Sequence, residues 1–195
     1  MSVLERDAVK RVRQALADAG LEDTVIELAE TARSADDAAS AVGCELGAIV
    51  KSLVFTIGRR FVMALVAGDH RCLEENLPAA FFLDGDVGRP KAGEVKGITG
   101  FTIGGVAPIG LAHKLPIVVD RSLKRFDTVY AAAGHPHCVF SVAPAELARI
   151  TEGIVSFNIA EPADGADVAA PPLAASKTFS EGREDRVSGD GGEAG

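Results

Sequence analysis

Cysteines and long apolar runs are scarce in this sequence of 195 residues. Cys44, Cys72 and Cys138 are widely separated, odd in number and without a Cys-x-x-Cys pair, which argues against a disulfide framework. No apolar stretch reaches the length of a membrane-spanning helix, and the first ten residues mix acids and bases, unlike a secretory signal. We therefore expect a cytoplasmic protein that does not contact a membrane.

Several motifs of common active sites are also missing. There is no Gly-x-Ser-x-Gly turn of a serine hydrolase, no Walker A motif and no Gly-x-Gly-x-x-Gly fingerprint. The histidines and cysteines show none of the recognised spacings of a zinc site. We therefore expect neither a metal nor a cofactor, and acyl-enzyme chemistry is disfavoured.

Negative charge is concentrated at the end of the chain. The whole sequence carries a net charge of −8, but residues 161–195 hold eight acids against three bases, a net −5. Residues 1–160 therefore carry only −3, which leaves room for a local basic surface that meets nucleic-acid phosphates. Because residues 161–195 are also rich in Gly, Ala and Pro, we expect one domain over 1–160 and a disordered acidic tail over 161–195.

Apolar periodicity predicts a mixture of helices and strands. Helices are expected over 4–19 and over 34–43, and the strand-like runs 49–57 and 60–67 flank Gly58-Arg59, which predicts a hairpin. Shorter strands are expected at 24–28, 80–83, 117–119, 128–131 and 138–142, and shorter helices at 71–77, 91–97, 121–124 and 144–150. This order favours an α+β fold around a mixed, curved, barrel-like sheet with surrounding helices.

One lysine lies within an apolar strand. Side chains alternate between the two faces of a strand, so Lys51 shares a face with Ile49 and Leu53, while Ser52 points to the other. Burying an ammonium without a partner is costly, so either a ligand pocket receives Lys51 or its stem extends along an edge strand to solvent. The opposite directions of Lys51 and Ser52 argue against a Ser-Lys nucleophile pair.

Two loops could build a site together with this strand. Residues 100–110 hold four glycines and one proline, so they can form a fixed bend whose amides bind an oxygen, or a plain connection between strands. The segment 134–138 places two histidines at the start of an apolar strand, where either could orient a substrate or shuttle a proton.

Three segments together resemble the YbaK/EbsC family of aminoacyl-tRNA editing domains, which are also associated with prolyl-tRNA synthetase. They are I-V-K-S-L-V-F, G-I-T-G-F-T-I-G-G-V-A-P-I-G and A-A-G-H-P-H-C-V-F, and the resemblance covers about residues 20–152. It implies a YbaK-like α+β fold in which Lys51 faces a small pocket closed by the loop Gly104–Pro108.

The resemblance also assigns roles to individual residues. Lys51 would hold the terminal adenosine or the ester carbonyl, the amides of Gly104 and Gly105 would stabilise the developing charge, and no protein nucleophile is required. The residues expected to bind substrate are Ser52, Pro108, Gly134 and His135.

The implied activity is trans-editing: a free-standing deacylase hydrolyses the ester of a mischarged tRNA, commonly proline tRNA carrying cysteine, alanine or another small amino acid. Mischarged tRNA would be the partner, with prolyl-tRNA synthetase as a candidate protein partner. By this resemblance, alanine-specific relatives carry Asn where this chain has Ser52, and cysteine-specific relatives carry Ser where it has Ala133, so the amino acid stays open.

Two other functions stay open at this stage: a non-catalytic binding or regulatory module with the same fold, and a small-molecule ester hydrolase. A basic rim around the pocket would favour tRNA as the substrate. The candidate residues for such a rim are Arg59, Arg60, Arg89, Lys91, Lys96 and Lys114.

Overall fold

The structure, a computed structural model, describes residues 2–32 and 34–163, so the predicted tail lies outside the described residues from 164 onward. The helices are α1 (Asp7–Asp18), α2 (Ala35–Val42), α3 (Leu77–Phe81), α4 (Ala92–Thr99) and α5 (Pro144–Thr151). Short 3-10 helices occupy Val3–Glu5, Leu46–Ala48, Glu74–Asn76 and Arg121–Arg125. The strands are β1 (Val25–Glu27), β2 (Ile49–Ile57), β3 (Arg60–Ala67), β4 (His70–Cys72), β5 (Val87–Gly88), β6 (Ile117–Asp120), β7 (Val129–Ala132), β8 (Cys138–Val142), β9 (Ile154–Ser156) and β10 (Ala160–Pro162).

Most of the strands form one mixed sheet in the order β1, β8, β7, β2, β3, β6, β9, with β5 added to β2. The predicted hairpin is confirmed: β2 and β3 are antiparallel, and Ile57 pairs with Arg60 across the two-residue turn. Parallel pairs join β2 to β7, β3 to β6 and β6 to β9, whereas β4 and β10 form a separate antiparallel pair. The chain is therefore an α+β fold with a mixed sheet that is curved but not closed.

Strand β3 lies at the centre of the core and is buried on both faces from Val62 to Ala67. Because its side chains alternate, they divide the core into two clusters. Met63 and Leu65 pack with the apolar stripe of α1, whereas Val62 and Ala64 pack with the apolar side chains of α3. Apolar residues at nearly every position of β3 follow from this double burial.

Helix α2 covers the start of β2. It begins as the sequence predicts, because the Ser34 hydroxyl accepts from the Asp37 N–H and the Asp37 carboxylate accepts from the Ser34 N–H. It ends before Gly43, whose φ of 78° lies in the left-handed region. Buried alanines of α2 pack on Ile49, which brings the helix beside the first residues of strand β2.

Two local predictions are wrong. Residues 80–83 were expected to form a strand but belong to the end of α3 and the turn after it. Leu77 and Phe81, four residues apart, both face the sheet at helical spacing. The short apolar run fits the two-residue period of a strand as well as the period of a helix. Residues 71–77 were expected to form a helix, but the segment starts in β4. Local periodicity does not reveal that β4 pairs with β10, which is distant in sequence.

The turn after β7 packs tightly on α1. Gly134 is buried with a φ of 85°, and a Cβ at this position would lie only 2.7 Å from the carbonyl oxygen of Ala8. Arg11, one turn further along α1, donates to the carbonyl oxygens of Gly100 and Gly110 at 3.0 and 3.2 Å. Helix α1 thus supports both glycine-containing loops that the sequence singles out.

We expect Gly134→Ala to lower the free energy of unfolding by about 2 kcal/mol or more, because it combines left-handed strain with a clash against helix backbone. Gly97→Ala is the matched control, since no heavy atom lies within 4 Å of its Cβ position in α4. Alanine in a helix interior should raise stability by up to about 1 kcal/mol there. Urea unfolding checks both variants, and equal effects would contradict the tight packing of Gly134 on α1.

Candidate functional site

Strand β2 is left open along part of one edge. On this side β7 pairs only with Ile49 and Val50, and β5 pairs only with Thr56 and Ile57. Within the described residues, no strand lies beside residues 51–55 on this edge. A cavity of about 400 Å³ lies against the gap.

The free backbone groups at this edge belong to Ser52 and Val54. On the same side of β2, the N–H of Gly58 donates to the carbonyl oxygen of Asp86 at 2.9 Å. Backbone groups of a strand alternate between its two edges, so steps of two residues from Gly58 lead to Val54 and Ser52. Their N–H and C=O groups therefore point into the gap, with the two residues roughly 7 Å apart.

The cavity wall is mostly apolar. It is formed by the start of α2, the first half of β2, Val95 of α4, the loop after α4, and the facing parts of β7 and β8 with the turn between them. Among the described residues that line it, Lys51 is the only charged side chain, and no carboxylate takes part. A ligand would therefore meet one cation and a few polar groups on a hydrophobic surface, as is usual for small-molecule sites.

Ser52 has a buried hydroxyl beside the cavity. Its Oγ is buried at the cavity and has no hydrogen-bond partner among the described residues. A buried hydroxyl without a partner costs about 1–3 kcal/mol, so a ligand that bonds to it gains accordingly. No histidine or carboxylate bonds to Ser52 Oγ, which agrees with the expectation that it is not a nucleophile.

Lys51 is half-buried and points away from Ser52. Lys51 is one of the residues that line the cavity, and its ammonium donates to the carbonyl oxygen of His70, a residue that does not line it. Burial lowers the pKa of Lys51, and among the neighbouring charges that oppose this shift Asp69 acts most strongly. The ammonium is therefore held inside the protein, against the segment that links β3 to β4, and does not extend along an edge into solvent.

The loop after α4 supplies Gly104 to the cavity. Gly104 has a φ of 92°, and its N–H bonds to no acceptor among the described residues. Gly105 differs, because its N–H donates to the carbonyl oxygen of Thr102 at 3.0 Å and a Cβ there would lie 2.8 Å from the Cα of His135. The amide of Gly105 is already bonded and closely packed, so the structure does not support its expected contact with the ester.

Pro108 and Gly134 do not line the cavity either. Pro108 is buried and borders a separate depression formed with side chains of α1 and α5. Gly134 packs on α1 as described above. Both residues shape the loops that carry Gly104 and His135, and their contact with substrate stays a prediction.

His135 lines the cavity from the turn between β7 and β8. Its Nδ1 accepts from the N–H of His137 at 3.2 Å, so the proton of the neutral ring lies on Nε2. Burial, with a smaller contribution from the positive charge of Arg6, lowers the pKa of His135. His135 is therefore a neutral donor at neutral pH, suited to bind an oxygen of a ligand.

Sequence reasoning missed several parts of the cavity wall. Cys138 lines it, and burial raises the pKa of this thiol to about 11, so the thiol stays protonated and is a poor nucleophile. Tyr130 and the start of α2 also line it, although no motif marks them. A signal was available for Cys138, because it directly follows the histidine segment.

No cluster of three or more His, Cys, Asp or Glu side chains within 2–32 and 34–163 could hold a metal ion. In the same part of the chain, no helix is both long and apolar enough to cross a membrane.

The candidate basic rim is only partly assembled. None of its six residues lines the cavity. Arg89 bonds to Glu74, and Lys114 is paired with Glu152. Lys91 and Lys96 flank Val95, the residue of α4 that does line the cavity, and both are exposed. Of the six candidate residues, Lys91 and Lys96 are therefore the two that lie close in sequence to a residue of the cavity wall.

Several known proteins are similar to this chain in sequence or in structure. YwhH, an uncharacterized protein of Bacillus subtilis (strain 168), is 32% identical over 145 residues, which are 74% of this chain and 91% of YwhH. EbsC of Enterococcus faecalis (strain ATCC 700802 / V583), named as a candidate Cys-tRNA(Pro)/Cys-tRNA(Cys) deacylase, is 26% identical over 62% of this chain and 73% of EbsC.

A crystal structure described as a candidate trans-editing enzyme for prolyl tRNA synthetase superposes with a TM-score of 0.71 at 35% identity. The superposition covers 78% of this chain and 96% of that one. The sequence model of the aminoacyl-tRNA editing domain matches residues 29–150, which span β2, the glycine-containing loop and the histidine turn. The chain therefore belongs to the aminoacyl-tRNA editing domain family.

Proposed function

We propose that this chain is a free-standing deacylase that hydrolyses the ester between a small amino acid and the terminal adenosine of a mischarged tRNA. The observation that carries the proposal is the cavity at the open edge of β2. Lys51, Ser52, Gly104 and His135 all belong to the residues that line this mostly apolar cavity. These groups suit an ester that must be held and polarised without covalent attachment.

The chemistry requires no protein nucleophile. Ser52 has no base beside it, and the thiol of Cys138 is protonated at neutral pH. We therefore assign the attack on the ester carbonyl to water, whose oxygen ends in the released amino acid while the ribose oxygen leaves as a hydroxyl; the neighbouring ribose hydroxyl would orient that water. The free N–H of Gly104 would bind the oxygen on which negative charge develops, and Lys51 would bind the terminal adenosine or the carbonyl oxygen.

The amino acid would lie along the open edge of β2. Since no carboxylate lines the cavity among the described residues, the carbonyl oxygens of Ser52 and Val54 are the acceptors available to its amino group. Valine and alanine side chains of the wall limit the size of the amino acid. A wall of this kind discriminates by only about 10–200-fold per methylene, so the tRNA itself must contribute to specificity.

Proline tRNA is our candidate substrate, carrying cysteine, alanine or another small amino acid. The names of EbsC and of the similar crystal structure support it, since both refer to proline tRNA or its synthetase. Prolyl-tRNA synthetase is the corresponding candidate protein partner. The exposed Lys91 and Lys96 beside Val95 would contact the acceptor end of the tRNA.

Lys51→Ala should lower kcat/KM for the preferred mischarged tRNA by about 100-fold or more, because it removes the only cation that lines the described cavity wall. The measurement is loss of the ester from proline tRNA charged separately with cysteine, alanine, serine and proline. Lys10→Ala is the matched control, since Lys10 is an exposed residue of α1 paired with Glu5.

The wild-type chain should release one noncognate amino acid faster than proline, and Lys10→Ala should do the same. If the wild-type chain releases no ester faster than buffer does, the deacylase proposal is contradicted and a non-catalytic binding module is favoured. Retained activity in Lys51→Ala would contradict the role assigned to Lys51.

Ser52→Ala should separate stability from activity. Because Ser52 Oγ is buried without a partner, its removal should leave the free energy of unfolding unchanged or raise it by up to about 1 kcal/mol. The same change should lower kcat/KM about fivefold or more for the preferred ester. Thermal unfolding and the ester assay measure the two effects on one preparation.

Thr99→Val is the comparison for stability. Thr99 Oγ1 is also buried but donates to the carbonyl oxygen of Val95 at 2.7 Å and accepts from the N–H of Phe101 at 3.0 Å. Its loss should cost about 1–3 kcal/mol. A similar cost for Ser52→Ala, without loss of activity, would show that the Ser52 hydroxyl has a structural role instead.

A further inference from the structure

We propose that Asp69 and Arg125 are positioning residues for Lys51: their ion pair fixes the carbonyl group to which the Lys51 ammonium is bound. The inference rests on the role that the proposed function gives to Lys51. It concerns residues outside the cavity wall, none of which the sequence analysis singled out.

The ion pair is geometrically well defined. Arg125 binds Asp69 through two hydrogen bonds, from Nη1 to Oδ2 at 2.9 Å and from Nη2 to Oδ1 at 2.7 Å. A third donor of the guanidinium, Nε, bonds to the carbonyl oxygen of Ser122 at 2.8 Å. The guanidinium also lies over the ring of Phe126, 4.9 Å from its centroid. Arg125 therefore has little freedom, and Asp69 is held with it.

Asp69 in turn fixes His70. The Oδ1 atom of Asp69 lies 2.7 Å from Nδ1 of His70. His70 is only 6% exposed. The carbonyl oxygen of Asp69 accepts from the N–H of Ala163 at 2.9 Å, and His70 pairs with Pro162 in the small sheet. The carbonyl group of His70, which accepts from the Lys51 ammonium, is thereby held from both sides.

The chain that enters β2 leaves space for this arrangement. A Cβ at Gly47 would lie 2.7 Å from Oδ2 of Asp69 and 2.8 Å from Nη2 of Arg125. Because Gly47 has no side chain, the ion pair packs directly against the backbone of the 3-10 helix Leu46–Ala48, just before β2. The pair and the strand that carries Lys51 form one rigid unit.

Stability alone does not explain a largely buried ion pair. The side chains of Asp69 and Arg125 are only 17% and 22% exposed. Desolvation offsets most of the attraction in such a pair, and apolar residues of similar volume often stabilise a fold equally well. What an apolar pair cannot supply is a fixed negative charge next to an ammonium.

Among the charged and titratable groups around Lys51, Asp69 is the main source of negative charge. The groups that face Lys51 or adjoin its anchor are Asp36 of α2, Asp69, His70 and Cys72 of the β3–β4 region, Asp120 of β6, and Arg125. Burial raises the pKa of Cys72 to about 11, so this thiol carries no charge at neutral pH. Asp120 accepts from the N–H groups of Ala67 and Ser122.

Asp69 itself stays ionised. Burial raises its pKa, but the hydrogen bonds from Arg125 and His70 and the positive charge of Arg125 outweigh this effect, so the pKa of Asp69 is lowered overall. Its charge favours the ammonium form of Lys51, whose pKa burial lowers. Removal of the Asp69 charge should therefore lower the pKa of Lys51 further, so that the ammonium is lost at a lower pH as the pH rises.

The test uses the full chain with Asp69→Asn, which keeps the shape of the side chain and removes its charge. With the preferred ester of the panel above, kcat/KM should stay within about twofold of wild type at pH 6 and fall about fivefold or more below it at pH 9. Spontaneous ester loss is subtracted at each pH. Glu146→Gln, which removes a carboxylate from an exposed pair with Arg149, should leave the profile unchanged.

A second readout does not depend on turnover. Reductive methylation with labelled formaldehyde places a ¹³C-dimethyl group on each lysine, and Lys51→Arg identifies the signal of Lys51. In Asp69→Asn this signal should titrate at a lower pH than in the wild-type chain. If Asp69→Asn does not fold, Asp69→Asn combined with Arg125→Gln avoids an unpaired buried guanidinium and allows the same titration.

The outcomes are distinct. An unchanged Lys51 titration in a folded variant overturns the inference, as does activity equal to that of the wild-type chain at every pH. A lowered titration in a chain that hydrolyses no ester supports the inference and counts only against the deacylase proposal.

Discussion

Strand β2 pairs with β3 along its whole length on one side, but on the other it has only two short partners, β7 and β5. A complete third strand would bury the edge and fill the cavity with backbone. The two partners diverge instead, because β7 follows the curve of the sheet toward β8 while β5 leads into α4. The interruption turns the backbone groups of Ser52 and Val54, and the side chains on both faces of β2, toward one ligand.

This arrangement explains how Lys51 and Ser52 can serve one site although they point to opposite faces. A cavity on one face of a sheet would reach only one of them, whereas a cavity at an open edge reaches both. Ser52 then offers an unpaired hydroxyl on the face of the main core, and Lys51 offers a cation that is anchored on the other face. The anchor lies in the β3–β4 region and the 3-10 helix of Arg125, outside both loops.

Local patterns predicted the hairpin and the α+β class, because both follow from the periodicity of apolar residues, but they left open whether Lys51 faces a pocket or solvent. They did not predict the parallel pairing of β2 with β7, since two strands about 80 residues apart carry no local sign of their register. The same limit explains Gly105 and Gly134. A glycine indicates a special backbone position, but only the fold shows that one amide is bonded to Thr102 and that the other residue packs on α1.

The open edge also carries an energetic cost that a fully paired sheet would not have. Each buried N–H, C=O or hydroxyl that lacks a partner costs about 1–3 kcal/mol, so water or a ligand must satisfy the groups at Ser52 and Val54. Mutual pairing of these groups is excluded, because successive groups of one strand edge point in the same direction. The fold therefore keeps, beside the anchored ammonium of Lys51, a row of donors and acceptors that only water or another molecule can pair.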